Sequence, residues 1–447
     1  MEIPETRYAT AEDGTSIAFQ TVGDGPVDLV FDPGVWGNVE IMWELAALAD
    51  LFGKLASFSR LILHDRRGTG MSGGGGTSLP NLETRARDLL TVLDTCRSSR
   101  TALFGSATGG AALALFAATY PDRVSSFVWF WALATVSWSP GYPWGATPEE
   151  LRRDTEWIRE GVGRTAMARE WLESYAPKLA GDDRLVAQVA RLDRHFMAPS
   201  TGGEWSRAEN ETDVTDILPV LSCPTLLLDH EASPTGAGES RHVQSLIPGA
   251  ELALMPGDPN TLVFSDRAAV AEAIRAFLGA ERTPVAADTV LASVLFTDIV
   301  GSTEKQASLG DRTWNELVGG HHAIVRESLE RWRGIENDTA GDGFYATFDG
   351  PARAVRCALD VIDRVRDLGI EIRAGVHTGE CEVIDGKHAG LAVTIGARIP
   401  SIAGPSEVLV SRTVKDLTAG SGFAFEDAGE RELKGVPDPW HIYRVAG

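Results

Sequence analysis

Two aspartates carry the strongest chemical signal in the sequence. Asp298 closes an apolar run in VLFTDIVGSTE, and Asp342 lies between two glycines in TAGDGFYATF. Carboxylates at the ends of two neighbouring strands can hold two Mg²⁺ or Mn²⁺ ions, which activate an attacking oxygen and neutralise a leaving pyrophosphate. Each feature alone has an ordinary explanation, because an aspartate before a helix is usually a cap and Gly-Asp-Gly is usually a turn. Their occurrence together, about forty residues apart with a helix between them, favours a metal site.

Small residues follow the first aspartate. Between Ile299 and Thr303 the chain is predicted to turn into a helix, so that Gly301, Ser302 and Thr303 present backbone amides at its start. Amides at a helix N-terminus suit phosphate oxygens. The sequence therefore predicts a phosphate-bearing substrate beside the metals.

A second constellation lies in TALFGSATGGAALALFAATYPDRV, residues 101–124. A buried run, a glycine-rich turn and an alanine-rich helix form the pattern of a nucleophile elbow, G-x-S-x-G. Gly105 and Gly109 stand at the expected places, but Ala107 occupies the position of the nucleophile. In a shifted register Thr108 would serve as the nucleophile. The nucleophile, the base and the acid that orients the base would then all have to move to new positions together. We therefore expect that this region does not hydrolyse anything.

The elements that position these residues fall into two regions. Residues 1–280 are predicted to alternate strands and helices as in a doubly wound, mostly parallel sheet, with a tryptophan-rich helical cap at about 138–213. A polar, proline-bearing linker is predicted at 281–288. Residues 289–447 then read as strand, helix, hairpin, helix and strand, which is typical of a ferredoxin-like α+β domain.

Composition excludes several classes of function. The 447 residues carry a formal net charge of -22, which argues against binding to nucleic acid or to anionic membranes. Four scattered cysteines have no zinc-like or redox-like spacing and indicate reduced thiols in the cytoplasm. The first residues, MEIPETRYAT, do not have the pattern of a signal peptide, and no apolar run is long enough to insert into a membrane.

The first region resembles the α/β-hydrolase family over its whole length, through DRRGTGMS, LFGSATGG and FAATYPDRV in that order. That family's chemistry needs a nucleophile, an acid and a histidine base. Ala232 or Ser233 stands where the acid is expected and Asn260 where the base is expected. The resemblance thus implies a hydrolase fold that has lost its triad, with a sensory or dimerisation role and a cleft for a small apolar ligand. The alternative is that the tryptophans only pack the cap.

The second region resembles the class III nucleotide cyclases over nearly all of residues 288–447. The whole chain is similar to actinobacterial proteins that fuse a hydrolase-like domain to such a cyclase. These enzymes convert a nucleoside triphosphate into a 3′,5′-cyclic monophosphate and pyrophosphate. Their sites form between two chains, so the resemblance implies a homodimer.

The resemblance assigns roles residue by residue. Asp298 and Asp342 match the aspartates that bind two Mg²⁺ or Mn²⁺ ions, and the Ile299 carbonyl matches an auxiliary metal contact. Arg398 matches the arginine that stabilises the pentavalent phosphorus. Lys434 matches the lysine that contacts the triphosphate.

Three positions depart from the pattern. Asp338 replaces the lysine that reads adenine, and Lys387 replaces that lysine's aspartate partner, so the pair is exchanged. Thr394 replaces an asparagine that positions the ribose. Losing one such donor costs roughly 2.7–4 kcal/mol of transition-state stabilisation. We therefore expect a slow enzyme.

The leading prediction is a homodimeric, metal-dependent nucleotide cyclase that acts on ATP. One alternative is a catalytically impaired homologue that binds a nucleotide or another ligand as a regulator; the other is an esterase or lactonase, which Ala107 and Asn260 oppose. His321 and His322 are expected to face solvent, and His377 to serve the core.

Overall fold

The computed structural model describes residues 3–34, 36–74, 80–231, 233, 235, 237–256, 261–279, 289–384 and 387–446, without the side chains of Ile384 and Lys387. The chain divides into two compact units, Met1–Ala286 and Ala287–Gly447. The predicted linker at 281–288, and Ala232 and Asn260 of the hydrolase pattern, lie outside the described residues.

The first unit is built on one mixed sheet. Its strands are β1 (Arg7–Thr10), β2 (Ser16–Val22), β3 (Asp28–Asp32), β4 (Arg60–His64), β5 (Thr101–Ser106), β6 (Val124–Phe130), β7 (Thr225–His230) and β8 (Glu251–Met255). Its helices are α1 (Ala46–Ala56), α2 (Leu82–Thr95), α3 (Gly109–Thr119), α4 (Pro148–Gly161), α5 (Thr165–Tyr175), α6 (Asp183–Phe196), α7 (Pro199–Glu211), α8 (Gly238–Leu246) and α9 (Arg267–Gly279).

The sheet has the order β1-β2-β4-β3-β5-β6-β7-β8. The first two strands form an antiparallel hairpin, and every neighbouring pair from β4 and β3 to β7 and β8 is parallel. The apolar runs are buried because helices cover both faces of such a sheet; every residue of β5 is buried. The doubly wound prediction is confirmed.

The predicted cap consists of α4 to α7, which are inserted between β6 and β7. It packs on the loop that follows β3, where the rings of Trp36 and Trp171 lie 4.9 Å apart. Trp36 Nε1 also donates a hydrogen bond of 2.8 Å to Asp193 Oδ1 on α6. The cap therefore covers the carboxyl end of β3, the edge where sheets of this type bind ligands.

The second unit contains a further mixed sheet. Its strands are β9 (Thr289–Ile299), β10 (Ile335–Ala340), β11 (Gly343–Phe348), β12 (Ile372–Ile384), β13 (Lys387–Ala389), β14 (Val408–Ser411), β15 (Ala424–Glu432) and β16 (Pro439–Ala446). Its helices are α10 (Ser302–Leu309), α11 (Asp311–Trp332), α12 (Pro351–Val365), α13 (Leu391–Arg398) and α14 (Arg412–Leu417).

The strand order is β10-β11-β9-β12-β14-β16-β15, with β13 paired to β12. The four strands β12, β9, β11 and β10 are antiparallel neighbours, as the ferredoxin-like prediction requires. One face carries a core that includes Leu295, Val325, Phe344, Val361 and Val376, to which α11 and α12 contribute their apolar sides. Among the described residues, no helix combines the length and the apolar character needed to cross a bilayer.

Candidate active site

The two aspartates of the metal prediction meet at the end of β9. Asp298 is the penultimate residue of that strand, and Asp342 lies in the turn between β10 and β11, the hairpin that pairs with β9. Asp342 Oδ2 accepts a hydrogen bond of 3.1 Å from the Ile299 backbone N–H. The structure thus brings together the three residues that sequence reasoning assigned to the metals, although they are separated by a long helix in the chain.

The predicted phosphate loop follows directly. Gly301 has a φ of +66° and caps α10, which begins at Ser302 and continues through Thr303. A left-handed residue here lets the chain leave β9 and enter the helix within three residues of Asp298. The first amides of α10 therefore start beside the aspartates.

Arg398 and Lys434 form a second group. Arg398 ends α13, and its Nε donates a hydrogen bond of 3.1 Å to the Lys434 carbonyl in the loop between β15 and β16. Both side chains are exposed. Thr394, one turn earlier on α13, donates its hydroxyl to the Gly390 carbonyl at 3.2 Å. The described contacts within one chain do not join this group to the two aspartates.

Asp338 shares a face of the sheet with Asp298. It stands opposite Tyr345 on β11, which stands opposite Phe296 on β9, two residues before Asp298. The rings of Phe296 and Tyr345 stack at 4.5 Å with an interplanar angle of 2°. Asp338 is exposed, and its Oδ1 accepts a hydrogen bond from Thr339 N at 3.0 Å. The side chain of Lys387 lies outside the described residues, so the exchanged pair stays a prediction.

The elbow of the first unit keeps its shape without a nucleophile. Ala107 has a φ of +49°, the left-handed conformation that lifts a nucleophile out of the sheet. Close packing explains the turn, because a Cβ on Gly110 would lie 2.1 Å from Trp129 Nε1 and a Cβ on Gly105 would lie 2.5 Å from the Gly110 Cα. Trp129 Nε1 donates to the Ala107 carbonyl at 2.7 Å. A methyl group thus occupies the strained position.

Comparison with known proteins identifies both units. A family model described as the adenylate and guanylate cyclase catalytic domain matches residues 286–447. A second model, described as the alpha/beta hydrolase family, matches residues 29–273, which is more than half of the chain. The chain belongs to the alpha/beta hydrolase family. Its C-terminal part is a nucleotide cyclase catalytic domain, and the predicted fusion of the two is confirmed.

Individual relatives are distant. An uncharacterized protein of Mycobacterium bovis is 30% identical over 138 residues, which cover 30% of this chain and 45% of that protein. The receptor-type adenylate cyclase GRESAG 4.3 of Trypanosoma brucei brucei is 24% identical over 204 residues, 34% of this chain and 16% of that protein. The chain thus spans less than half the length of these curated relatives.

Solved structures agree with the fold of the first unit. The bromoperoxidase from Bacillus anthracis superposes with a TM-score of 0.52 at 20% identity, covering 62% of this chain and 100% of that one. At this identity the likeness shows the hydrolase fold alone. It carries no activity over to this chain.

Sequence reasoning missed an arginine in the cyclase domain. Arg373 on β12 stands directly opposite Asp298 on β9. Its Nη2 and Nε donate to Asp298 Oδ2 at 2.6 and 3.0 Å, and both side chains are about one-third exposed. The arginine therefore holds one carboxylate oxygen and sets the direction of the other. A charged residue inside the apolar run IEIRAGV was the available signal.

The expectation that the two neighbouring histidines face solvent was wrong for His321, whereas His322 is partly exposed. His321 is fully buried, and burial lowers its pKa to about 4. His322 Nε2 lies 2.9 Å from the Gly341 carbonyl oxygen, and its ring meets the Phe344 ring edge-on at 5.0 Å. Both point at the sheet because α11 crosses the hairpin of β10 and β11 at this position. His322 thus contacts the turn that carries Asp342.

His377 lies in the core as expected. It is buried, its Nδ1 lies 2.8 Å from Ser411 Oγ, and burial lowers its pKa to about 3. The ring is therefore a neutral packing group near the middle of the sheet.

The donors at the aspartates fit Mg²⁺ or Mn²⁺. Asp298 and Asp342 each commit Oδ2 to a protein hydrogen bond, which leaves Oδ1 of each carboxylate and the Ile299 carbonyl as oxygen ligands. Among the described residues, no cluster of three or more histidine, cysteine or acidic side chains forms a closed metal cage. Two carboxylates with open positions are the arrangement in which Mg²⁺ is shared between protein and substrate phosphates.

Proposed function

We propose that the cyclase domain converts a nucleoside triphosphate, with ATP as the favoured substrate, into the 3′,5′-cyclic monophosphate and pyrophosphate with two Mg²⁺ or Mn²⁺ ions. The convergence of Asp298 and Asp342 on Ile299 carries this proposal. The bound ions would activate the ribose 3′-hydroxyl and neutralise charge on the phosphates. A cytoplasmic location belongs to the proposal, since all four cysteines are free and buried.

The chain's own residues would divide the remaining work. The first amides of α10 hold phosphate oxygens beside the aspartates. Arg398 and Lys434, joined by a hydrogen bond, face the α-phosphorus and the triphosphate. The 3′-oxygen bonds to the α-phosphorus, the bond to pyrophosphate breaks, and the hydroxyl proton leaves to water. Because the described contacts of one chain do not join the two groups, we propose that a homodimer completes each site.

Asp338 makes GTP the competing substrate. A carboxylate only accepts hydrogen bonds, and the guanine edge offers both an N1–H and a 2-amino donor. Asp338 is exposed and shares its sheet face with Asp298, so a base placed beyond the aromatic pair of Phe296 and Tyr345 would meet it. The choice between the two purines is therefore part of the test below.

A nucleotide-binding regulator is the second candidate. The Thr394 hydroxyl is bound to the Gly390 carbonyl of its own helix and does not reach out as an asparagine amide would. The ribose should therefore be weakly held in the transition state. The domain would then still bind the nucleotide after its catalytic turnover has been lost.

The hydrolase-like unit is proposed to sense or to dimerise and not to hydrolyse. The methyl group at Ala107 argues against hydrolysis. Aromatic rings lie together at the cap: the ring centroid of Tyr175 is 5.2 Å from that of Trp171 and 5.9 Å from that of Trp131. Such a wall suits a small apolar ligand.

One experiment tests the activity. Purified protein is incubated with each of the four ribonucleoside triphosphates and Mn²⁺, and cyclic products are detected by mass spectrometry. We expect a cyclic purine nucleotide that disappears in Asp298→Asn and persists in Asp363→Asn, whose exposed carboxylate pairs with Arg366. Nucleotide binding without any product would instead support the regulator.

A further inference from the structure

A buried network of charges lies in the hydrolase-like unit and involves none of the proposed cyclase-site residues. Arg66 forms an ion pair with Asp32 at the end of β3, and Arg85 Nη1 on α2 donates to Glu209 Oε1 on cap helix α7 at 2.8 Å. Arg85 Nη2 lies 3.7 Å from Asp32 Oδ2, which joins the two pairs. All four side chains are 10% exposed or less. Although burial raises the pKa of Asp32, the two guanidinium groups hold it well below its ordinary value.

The network leaves arginine donors and one acceptor, Glu209 Oε2, without partners among the described residues. Arg66 Nη1, Arg85 Nε and Arg85 Nη2 are buried, and none has a hydrogen-bond partner among the described residues. Both ring nitrogens of His64 are also buried without a hydrogen-bond partner among the described residues. Burial lowers the pKa of this histidine, so its ring is neutral. A buried donor without an acceptor costs about 1–3 kcal/mol. Several together call for an occupant that accepts hydrogen bonds.

These side chains line a small cavity. It has a volume of about 10 Å³, and its polar lining consists of Asp32, His64, Arg66, Arg67, Arg85 and Asp88. Such a space holds one atom-sized occupant. Three guanidinium groups face it against two carboxylates, and Arg67 and Asp88 already satisfy each other through hydrogen bonds of 2.7 and 2.9 Å. The lining is therefore rich in donors, although two of its three guanidinium groups also pair with carboxylates outside it, Arg67 with Asp13 and Arg85 with Glu209.

We propose that this cavity binds a single monovalent anion of atomic size, chloride or bromide, between the guanidinium groups of Arg66 and Arg85. A halide only accepts hydrogen bonds, which matches a lining whose unused arginine atoms all donate. Because Arg85 also holds Glu209, the anion ties the cap helix α7 to the carboxyl end of β3. The site does not depend on the proposed cyclase activity.

The first test uses the unmodified protein. Thermal unfolding is followed by tryptophan fluorescence, since nine of the twelve tryptophans precede residue 280. Samples contain sodium bromide or sodium gluconate at equal ionic strength, because gluconate is too large for the cavity. We expect the midpoint to rise by about 2–5 °C for each tenfold increase in bromide above its Kd. Equal midpoints in the two salts over the whole range would overturn the proposal.

A variant and a diffraction measurement complete the test. Arg85→Gln should abolish the bromide-dependent rise, and Arg275→Gln, which removes an exposed arginine paired with Glu272, should retain it. Persistence of the rise in Arg85→Gln would count against the site. If Arg85→Gln does not fold, crystals of the unmodified protein grown with bromide decide: an anomalous peak between Arg66 and Arg85 supports the anion. If the cavity shows no anomalous peak, it holds water, and any bromide found at other places is an adventitious ion only. Either result would refute the proposed anion site.

Discussion

His322 should tune the affinity of the cyclase domain for its metal. The side chain holds the turn that carries Asp342 through a hydrogen bond of 2.9 Å to Gly341 and an edge-on contact of 5.0 Å with Phe344. His322→Leu removes the hydrogen bond and the aromatic contact but leaves both aspartates in place. His322→Gln retains a donor of similar reach.

The expected magnitude follows from these two contacts. A neutral hydrogen bond contributes about 0.5–1.5 kcal/mol, and an edge-to-face aromatic pair contributes a similar amount. Since the His322 ring is only partly buried, we take the lower half of each range, about 1–2 kcal/mol in total, which is a factor of about 5–30 in an equilibrium constant. The turn must be ordered for Asp342 to bind the ion. The lost stabilisation of the turn should therefore raise the Mn²⁺ half-saturation concentration by about 5–30-fold.

The assay measures Mn²⁺ binding by electron paramagnetic resonance without nucleotide, and cyclic product as a function of Mn²⁺. His441→Leu is the matched control, because His441 also makes one hydrogen bond, of 2.8 Å to Asp427, and one ring contact, of 4.9 Å with Tyr443. We expect His322→Leu alone to weaken Mn²⁺ binding, with kcat at saturating Mn²⁺ nearly unchanged and partial rescue in His322→Gln. Equal Mn²⁺ affinity in His322→Leu and the unmodified protein would refute the reasoning.

Three further predictions concern both units. Asp298→Asn and Asp342→Asn should each abolish cyclic product while the domain keeps its unfolding midpoint within a few degrees; unchanged turnover in either would remove the two-metal site. Thr394→Asn should raise kcat by up to about 10²-fold, because an amide reaches farther than a hydroxyl bound to Gly390; a fall in kcat would contradict the assigned role. Neither the unmodified protein nor Ala107→Ser should hydrolyse p-nitrophenyl esters above background, and clear hydrolysis by the unmodified protein would reveal another nucleophile.

Local patterns were enough to predict the two folds and the meeting of Asp298 with Asp342. Each aspartate ends or follows a strand, and strand ends that pair must converge. The elbow was visible for the same reason, since Gly105 and Gly109 mark a turn whose packing does not depend on the nucleophile. These predictions rest on short motifs, each of which can be recognised without knowledge of the folded packing.

Contacts that depend on tertiary packing could not be predicted in the same way. Arg373 reaches Asp298 only because β12 pairs with β9 in one particular register, across 75 residues. His322 points at Gly341 because of the rotation of α11 about its axis, which packing decides. Pairing register and helix rotation are set by the folded core and leave little trace in a short motif.

The central claim is that Asp298 of one chain and Arg398 of another complete one site, and subunit mixing tests it most directly. Asp298→Ala and Arg398→Ala are each expected to be inactive. Random pairing makes half of the dimers mixed, and each mixed dimer rebuilds one of its two sites, so an equal mixture should recover about a quarter of the unmodified activity. Gel filtration under the same conditions should show a dimer for each variant. An equal mixture that dimerises but recovers no activity would contradict the shared site.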